Sequence, residues 1–267
     1  MRALWVGILS LLLIWGWAMP AWSAQTLTAE ITTPRQFEAV KKKAFAASQA
    51  GQFDEAEDYW TQLLEAHPTS APIWSNRGNV RVSQNRLEEA IADYDKSVEL
   101  APLSPDPYLN RGAALEGLGR WEEAIADYNK ALQLEPDSAA LVNNRGNAKG
   151  GSGDWEAALA DYERAAELMP NFALASANAA IALYQVGRAE ASVRRLRGLV
   201  RKYPRFADVR AALTAVLWAE GRRGEAESNW YAVMGLDRRY KDVDWVRQVR
   251  RWPPGVADAL EQFLNLS

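Results

Sequence analysis

The chain has 267 residues, 48% of them apolar, with 31 Lys and Arg against 34 Asp and Glu and a formal net charge of −3. It contains no cysteine and a single histidine, His67. This excludes disulfides, thiol chemistry, cysteine-based zinc sites and a lipoprotein anchor, and leaves almost no room for His-dependent triads or ordinary zinc sites.

At the amino terminus Arg2 precedes an apolar run from Ala3 to Ala18, then Pro20 and the small-residue stretch Ala21-Trp22-Ser23-Ala24. A basic start, a short apolar run and small residues at its end predict a secretory signal peptide over 1–24, cleaved near Ser23 or Ala24. An uncleaved N-terminal anchor is the alternative, and both readings place the mature chain outside the cytoplasm. Residues 25–36 are expected to form a linker that ends at Thr32-Thr33-Pro34.

The next stretch repeats. Pro68, Pro102, Pro136, Pro170 and Pro204 stand 34 residues apart. A small residue keeps the same offset as Ala56, Ala90, Ala124, Ala158, Ser192 and Ala226, and four positions on stand Trp60, Tyr94, Tyr128, Tyr162, Leu196 and Trp230. Gly78, Gly112 and Gly146 recur in the same register, with Ala44, Ala180 and Thr214 in the other units. Within Pro105–Ser138, Ser104 and Pro105 signal a helix start and Gly119 a left-handed stop. Trp121, Ala124, Ile125, Tyr128, Ala131 and Leu132 then follow the i, i+3, i+4, i+7 spacing of one buried helix face. Two helices this short cannot bury their apolar sides alone, so the units must stack. Six fit without a gap: 37–70, 71–104, 105–138, 139–172, 173–206 and 207–240. Val243 to Val249 predicts a further helix, Arg250-Arg251-Trp252-Pro253-Pro254 breaks it, and Val256 to Leu264 predicts a last one. Residues 241–267 are expected to cap the final unit, whose apolar side is otherwise bare.

In length, order and residue types these units resemble the tetratricopeptide repeat (TPR) family. The resemblance covers 37–240 and implies an all-α, right-handed superhelical solenoid of six helix-turn-helix repeats with a C-terminal capping helix. It also implies a non-enzymatic scaffold or adaptor that holds a peptide segment or helix of a partner protein in its concave groove. More faintly, the tail is similar to exported TPR proteins of cyanobacteria and plastids. That would place the chain in the periplasm or thylakoid lumen, in assembly of a membrane or photosynthetic complex.

In the family, the first helix of each unit points positions two, five, six, nine, twelve and thirteen into the groove. Position six here is Asn76, Asn110, Asn144 and Asn178; position nine adds Asn79 and Asn147, and position five Asn143. An amide carries both a donor and an acceptor, so such a ladder can pair with the backbone of an extended chain. The other reading is that these amides bond to neighbouring helices. Leu109, Tyr184 and Trp218 would supply apolar contact. The Lys/Arg/Asn clamp of chaperone-binding TPR proteins is not matched, since Asp106 occupies a key lysine position.

Arg77, Arg111 and Arg145 recur with Asp93, Asp127 and Asp161, and units five and six lack both members, which predicts a salt bridge inside each unit. Gly150 and Gly151 predict either harmless fraying or a shortened first helix with a slight hinge in unit four. Residues 25–187 carry 14 basic and 24 acidic side chains, whereas 188–251 carry 16 basic and 8 acidic. The basic third offers an alternative function, a self-associating scaffold on an anionic membrane surface. No cofactor, metal, nucleic acid or small-molecule substrate is expected; the expected partner is another protein.

Overall fold

Each 34-residue unit folds as two helices joined by a tight turn. In the computed structural model, which describes residues 31–266, six such pairs follow one another. They are α1 Pro34–Gln49 with α2 Phe53–Ala66, α3 Ala71–Ser83 with α4 Leu87–Leu100, and α5 Pro105–Gly117 with α6 Trp121–Leu134. Then come α7 Ala139–Gly151 with α8 Trp155–Leu168, α9 Ala173–Gln185 with α10 Ala189–Lys202, and α11 Ala207–Ala219 with α12 Arg223–Leu236. A 3-10 turn Arg238–Lys241, a short α13 Val243–Gln248 and α14 Pro254–Leu266 complete the chain. No strand occurs among the described residues. The expected signal peptide over 1–24 lies outside them. The linker boundary needs correction. Thr33 caps α1 in a capping box with Gln36, so the first helix begins at Pro34 rather than after residue 36.

The turns close as the glycines require. Gly51, Gly119, Gly153, Gly187 and Gly221 all adopt positive φ, and Asn85 (φ 60°) takes the same conformation in unit two. Ser104 stands at the N-cap of α5 as expected, but its side chain makes no capping bond. The recurrent glycine of the first helix exists for close approach. A Cβ on Gly78, Gly112 or Gly146 would lie 2.7, 2.8 and 2.8 Å from the ring of Tyr94, Tyr128 and Tyr162. Ala56, Ala90, Ala124, Ala158 and Ala226 are fully buried beside these rings or their counterparts.

The Arg–Asp pairs form. Arg77 grips Asp93 through Nε (2.9 Å) and Nη2 (2.7 Å), Arg111 grips Asp127 (2.8 and 2.6 Å), and Arg145 grips Asp161 (2.8 and 2.7 Å). Each arginine also donates through Nη1 to the preceding unit, at Thr61 (3.2 Å), Asp95 (2.7 Å) and Asn129 (2.8 Å). The three aspartates are buried, so these planar, bidentate contacts tie units together as well as helices within a unit.

Two expectations change. Helix α7 is not shortened: it has 13 residues, as α5 does. Gly150 and Gly151 instead make room for two indoles. A Cβ would fall 2.8 Å from Trp155 at Gly150 and 2.6 Å from Trp121 at Gly151. The second change concerns the tail. Helix α14 packs on α11 and also reaches α9, both of them first helices, so it lies on the inner face of the last two units. Val256, Leu260 and Phe263 bury there, and Phe263 meets Trp218 edge-on at 5.3 Å and Trp230 at 5.4 Å.

Candidate functional site

The inner face divides into two parts. Over units five and six it is occupied by the chain itself. Trp218 sits beneath Phe263. Beside Tyr184, the amide of Gly255 donates to Gln185 Oε1 at 2.9 Å. The buried Asp208, at position two of unit six, anchors this segment. Its Oδ1 accepts from Tyr240 Oη (2.6 Å), Arg250 Nε (2.9 Å) and Trp252 Nε1 (3.2 Å). Tyr184 and Trp218, expected as open apolar contacts for a partner, are thus partly taken up in holding the tail.

Over units two to four the tail reaches the inner face through Arg251 at Glu116 and Trp121, and the asparagines there are not equivalent. Asn79 Oδ1 accepts from Tyr94 Oη at 2.7 Å and Asn147 Oδ1 from Tyr162 Oη at 3.1 Å, so these two fix the ring behind them. Asn178 Nδ2 donates to Asn143 Oδ1 at 3.1 Å and more weakly to Asn147 Oδ1 at 3.5 Å, while Asn143 Nδ2 lies 3.5 Å from Asn144 Oδ1. That group of four bridges α7 and α9. Asn76 and Asn110 differ: both are partly exposed, and neither makes a side-chain hydrogen bond among the described residues. Leu109, beside Asn110, packs partly against the core of units two to four. The reading of the ladder as bonds to neighbouring side chains and helices therefore holds for Asn79, Asn143, Asn147 and Asn178, whereas Asn76 and Asn110 make no such bond among the described residues.

An ion pair between unit three and the tail lies beside these asparagines. In unit three Ala113 stands where Asn79 and Asn147 stand in their units. Tyr128 Oη accordingly donates to Glu116 instead, one turn further along α5. Glu116 is buried, and its other oxygen accepts from Arg251 Nη1 at 3.0 Å. Burial pushes its carboxyl above the usual range, and the Tyr128 hydroxyl and Arg251 guanidinium pull it back. Arg251 also faces the ring of Trp121, 5.9 Å from its centroid. Between the tail segment Arg247–Pro254 and units three to five lies a cavity of about 940 Å³, lined by Glu116, Trp121, Asn147, Trp155 and Asn178 among others. The sequence offers two signals, Ala113 as a gap in a periodic column and Glu116 as one of the few charges at groove-facing positions. Nothing in a one-dimensional pattern pairs Glu116 with Arg251.

The basic third is partly neutralised by its neighbours. Arg188 pairs with Glu156 (3.1 Å) and Arg195 with Glu163 (3.0 Å) of unit four, and Arg197 and Arg222 share Glu225. Arg188 and Arg195 thus tie unit five to unit four.

A stack of helix pairs with a lined inner face defines a helical-repeat solenoid. Models of the tetratricopeptide repeat match residues 42–70, 105–138 and 151–216, and a model of the TPR repeat matches 78–119. The chain belongs to the tetratricopeptide repeat family. Among solved structures it is similar to a tetratricopeptide repeat protein from Parabacteroides merdae, with TM-score 0.69 and 18% identity over 86% of this chain and 93% of that one. It is also similar to MamA (TM-score 0.56, 21% identity, 60% of this chain and 93% of that one). A third is YrrB, described as a TPR protein with an unusual peptide-binding site (TM-score 0.54, 21% identity, 72% and 97%). At these identities the likeness establishes the fold. No curated protein matches the chain by sequence. Repeats and neighbours together identify a protein-interaction scaffold.

Proposed function

We propose that the inner face of units two to four holds an extended segment of a partner protein, and that the scaffold thereby brings that partner into a larger assembly. One observation carries the reading. Asn76 and Asn110 occupy the same place in successive units, partly exposed, with amides that nothing in the described chain uses. A free amide can accept from a backbone N–H and donate to a carbonyl, so two in register grip an extended chain without reading its side chains. Leu109 supplies apolar surface beside Asn110. The peptide-binding site of YrrB and the Cut9–Hcn1 hetero-tetramer, to whose structure 86% of this chain aligns with TM-score 0.65, lend support by analogy of fold.

The test replaces both amides. N76A/N110A should capture the native partner about tenfold or more less well than the wild type, because each lost amide pair is worth about 0.5–1.5 kcal/mol. Helicity by circular dichroism should not change, since neither side chain supports the fold. Undiminished capture by a fully helical variant would overturn the reading.

A further inference from the structure

Arg251 belongs to the tail, yet its guanidinium lies in unit three. It donates from Nη1 to Glu116 at 3.0 Å and stands over the Trp121 ring at 5.9 Å. Carboxylate and indole together offer what an arginine fits best, an anionic acceptor beside an aromatic face. The carboxylate is buried, only 6% exposed, and a buried charge without a counter-charge is costly, so the site calls for a cation.

The present occupant is held loosely. Its side chain is 45% exposed and makes one contact to Glu116 rather than a bidentate pair. Its backbone is left-handed, with φ 52°, a conformation that disfavours a residue with a Cβ. The neighbouring arginines are committed elsewhere, Arg250 to Asp208 and Arg247 to Asp258 and Glu261. Asp208 also holds Trp252, so the tail stays anchored when Arg251 alone swings away. The cavity of about 940 Å³ continues from this point past Trp155, Asn147 and Asn178, with room for residues that flank an incoming arginine.

We propose that Glu116 and Trp121 form a guanidinium-binding site, filled within the chain by Arg251 and taken over by an arginine of the partner's extended segment. The proposal rests on the groove being a peptide site, and adds the side chain that the partner must present. The amides of Asn76 and Asn110 hold backbone; Glu116 and Trp121 select for arginine. Arg251 keeps the buried carboxylate paired until the partner arrives, and sets a threshold that segments without an arginine do not cross.

The experiment uses the full chain and a fluorescent peptide with the sequence of residues 249–254, together with a counterpart carrying norleucine in place of the second arginine. By fluorescence anisotropy, R251A should bind the arginine peptide about tenfold more tightly than the wild type does, and about tenfold more tightly than it binds the norleucine peptide. Adding E116Q to R251A should abolish that preference; if the double variant melts early, W121L in the R251A background serves the same purpose. Equal binding of both peptides by R251A overturns the arginine site and leaves the backbone-capture reading standing. Failure of R251A to bind either peptide also overturns it, while the groove is judged separately by N76A/N110A.

Discussion

Glu116 shows how one change inside a periodic chain redirects a hydrogen bond and creates a titrating group. In units two and four an asparagine at position nine receives the tyrosine hydroxyl. In unit three Ala113 cannot, and Glu116 takes its place. Burial raises the native pKa of this carboxyl above its unfolded value. Between the two values the folded chain holds more protons than the unfolded one, so Glu116 costs stability as pH rises through that window. E116Q should therefore gain on the wild type from acid pH upward, while R251A, which removes the compensating cation, should lose further ground over the same range. Denaturant midpoints from about pH 4 to pH 7.5 provide the check, and parallel profiles for wild type and E116Q would falsify the assignment. At this scale the sequence was informative where residues vary together. Arg111 and Asp127 could be paired because units five and six lack both partners. The asparagine column was visible, but not its division into engaged and free amides, because that depends on which ring or helix lies behind each one. Glu116 and Arg251, on opposite sides of the tail's fold-back, left no periodic trace.

At the scale of the element, the paired glycines at the end of α7 carry the clearest lesson. Propensity alone marks them as a weakness, since each costs about 1 kcal/mol against alanine in a helix. The helix nevertheless runs its full length, because the weakness accommodates Trp121 from the preceding unit and Trp155 from its own. The reason for a glycine lay in a side chain one unit away, which periodicity can align but not reveal as a contact. The consequence is a reversal of sign. In the wild type G151A should destabilise by about 1–3 kcal/mol, because a Cβ 2.6 Å from the Trp121 ring forces a rigid indole off its seat. In a W121L background the same substitution should be neutral or stabilising, as propensity dictates. Thermal melts of the four proteins decide it; an equal loss in both backgrounds means that the glycine serves something other than the indole.

For the whole molecule, a stack of repeats stabilises each unit through its neighbours, so an end is the weakest place and needs cover. The need for a cap after residue 240 followed from the repeat itself. Its position did not, because α14 turns back onto the inner faces of α9 and α11 instead of prolonging the stack. Asp208 makes the reversal possible by gathering Tyr240, Arg250 and Trp252 at one buried oxygen. The largest continuous core among the described residues runs from Ala177 through units five and six to Phe263, so the tail is part of that core rather than an appendage. Burial of Val256, Leu260 and Phe263 contributes about 1.5–3 kcal/mol for each side chain. Deleting residues 254–267 should then act locally. Amide exchange should accelerate by about tenfold or more in α9 and α11, which lose the helix they pack on, and in α10 and α12 paired with them, while α1 to α6, which do not pack on α14, keep their protection. Uniform loss along the chain would mean that the tail holds the solenoid through unit three rather than through its last two units. Unchanged exchange would mean that α14 covers nothing the last repeats depend on. The local outcome alone fits a tail that closes one end of the groove and leaves the other end open to a partner.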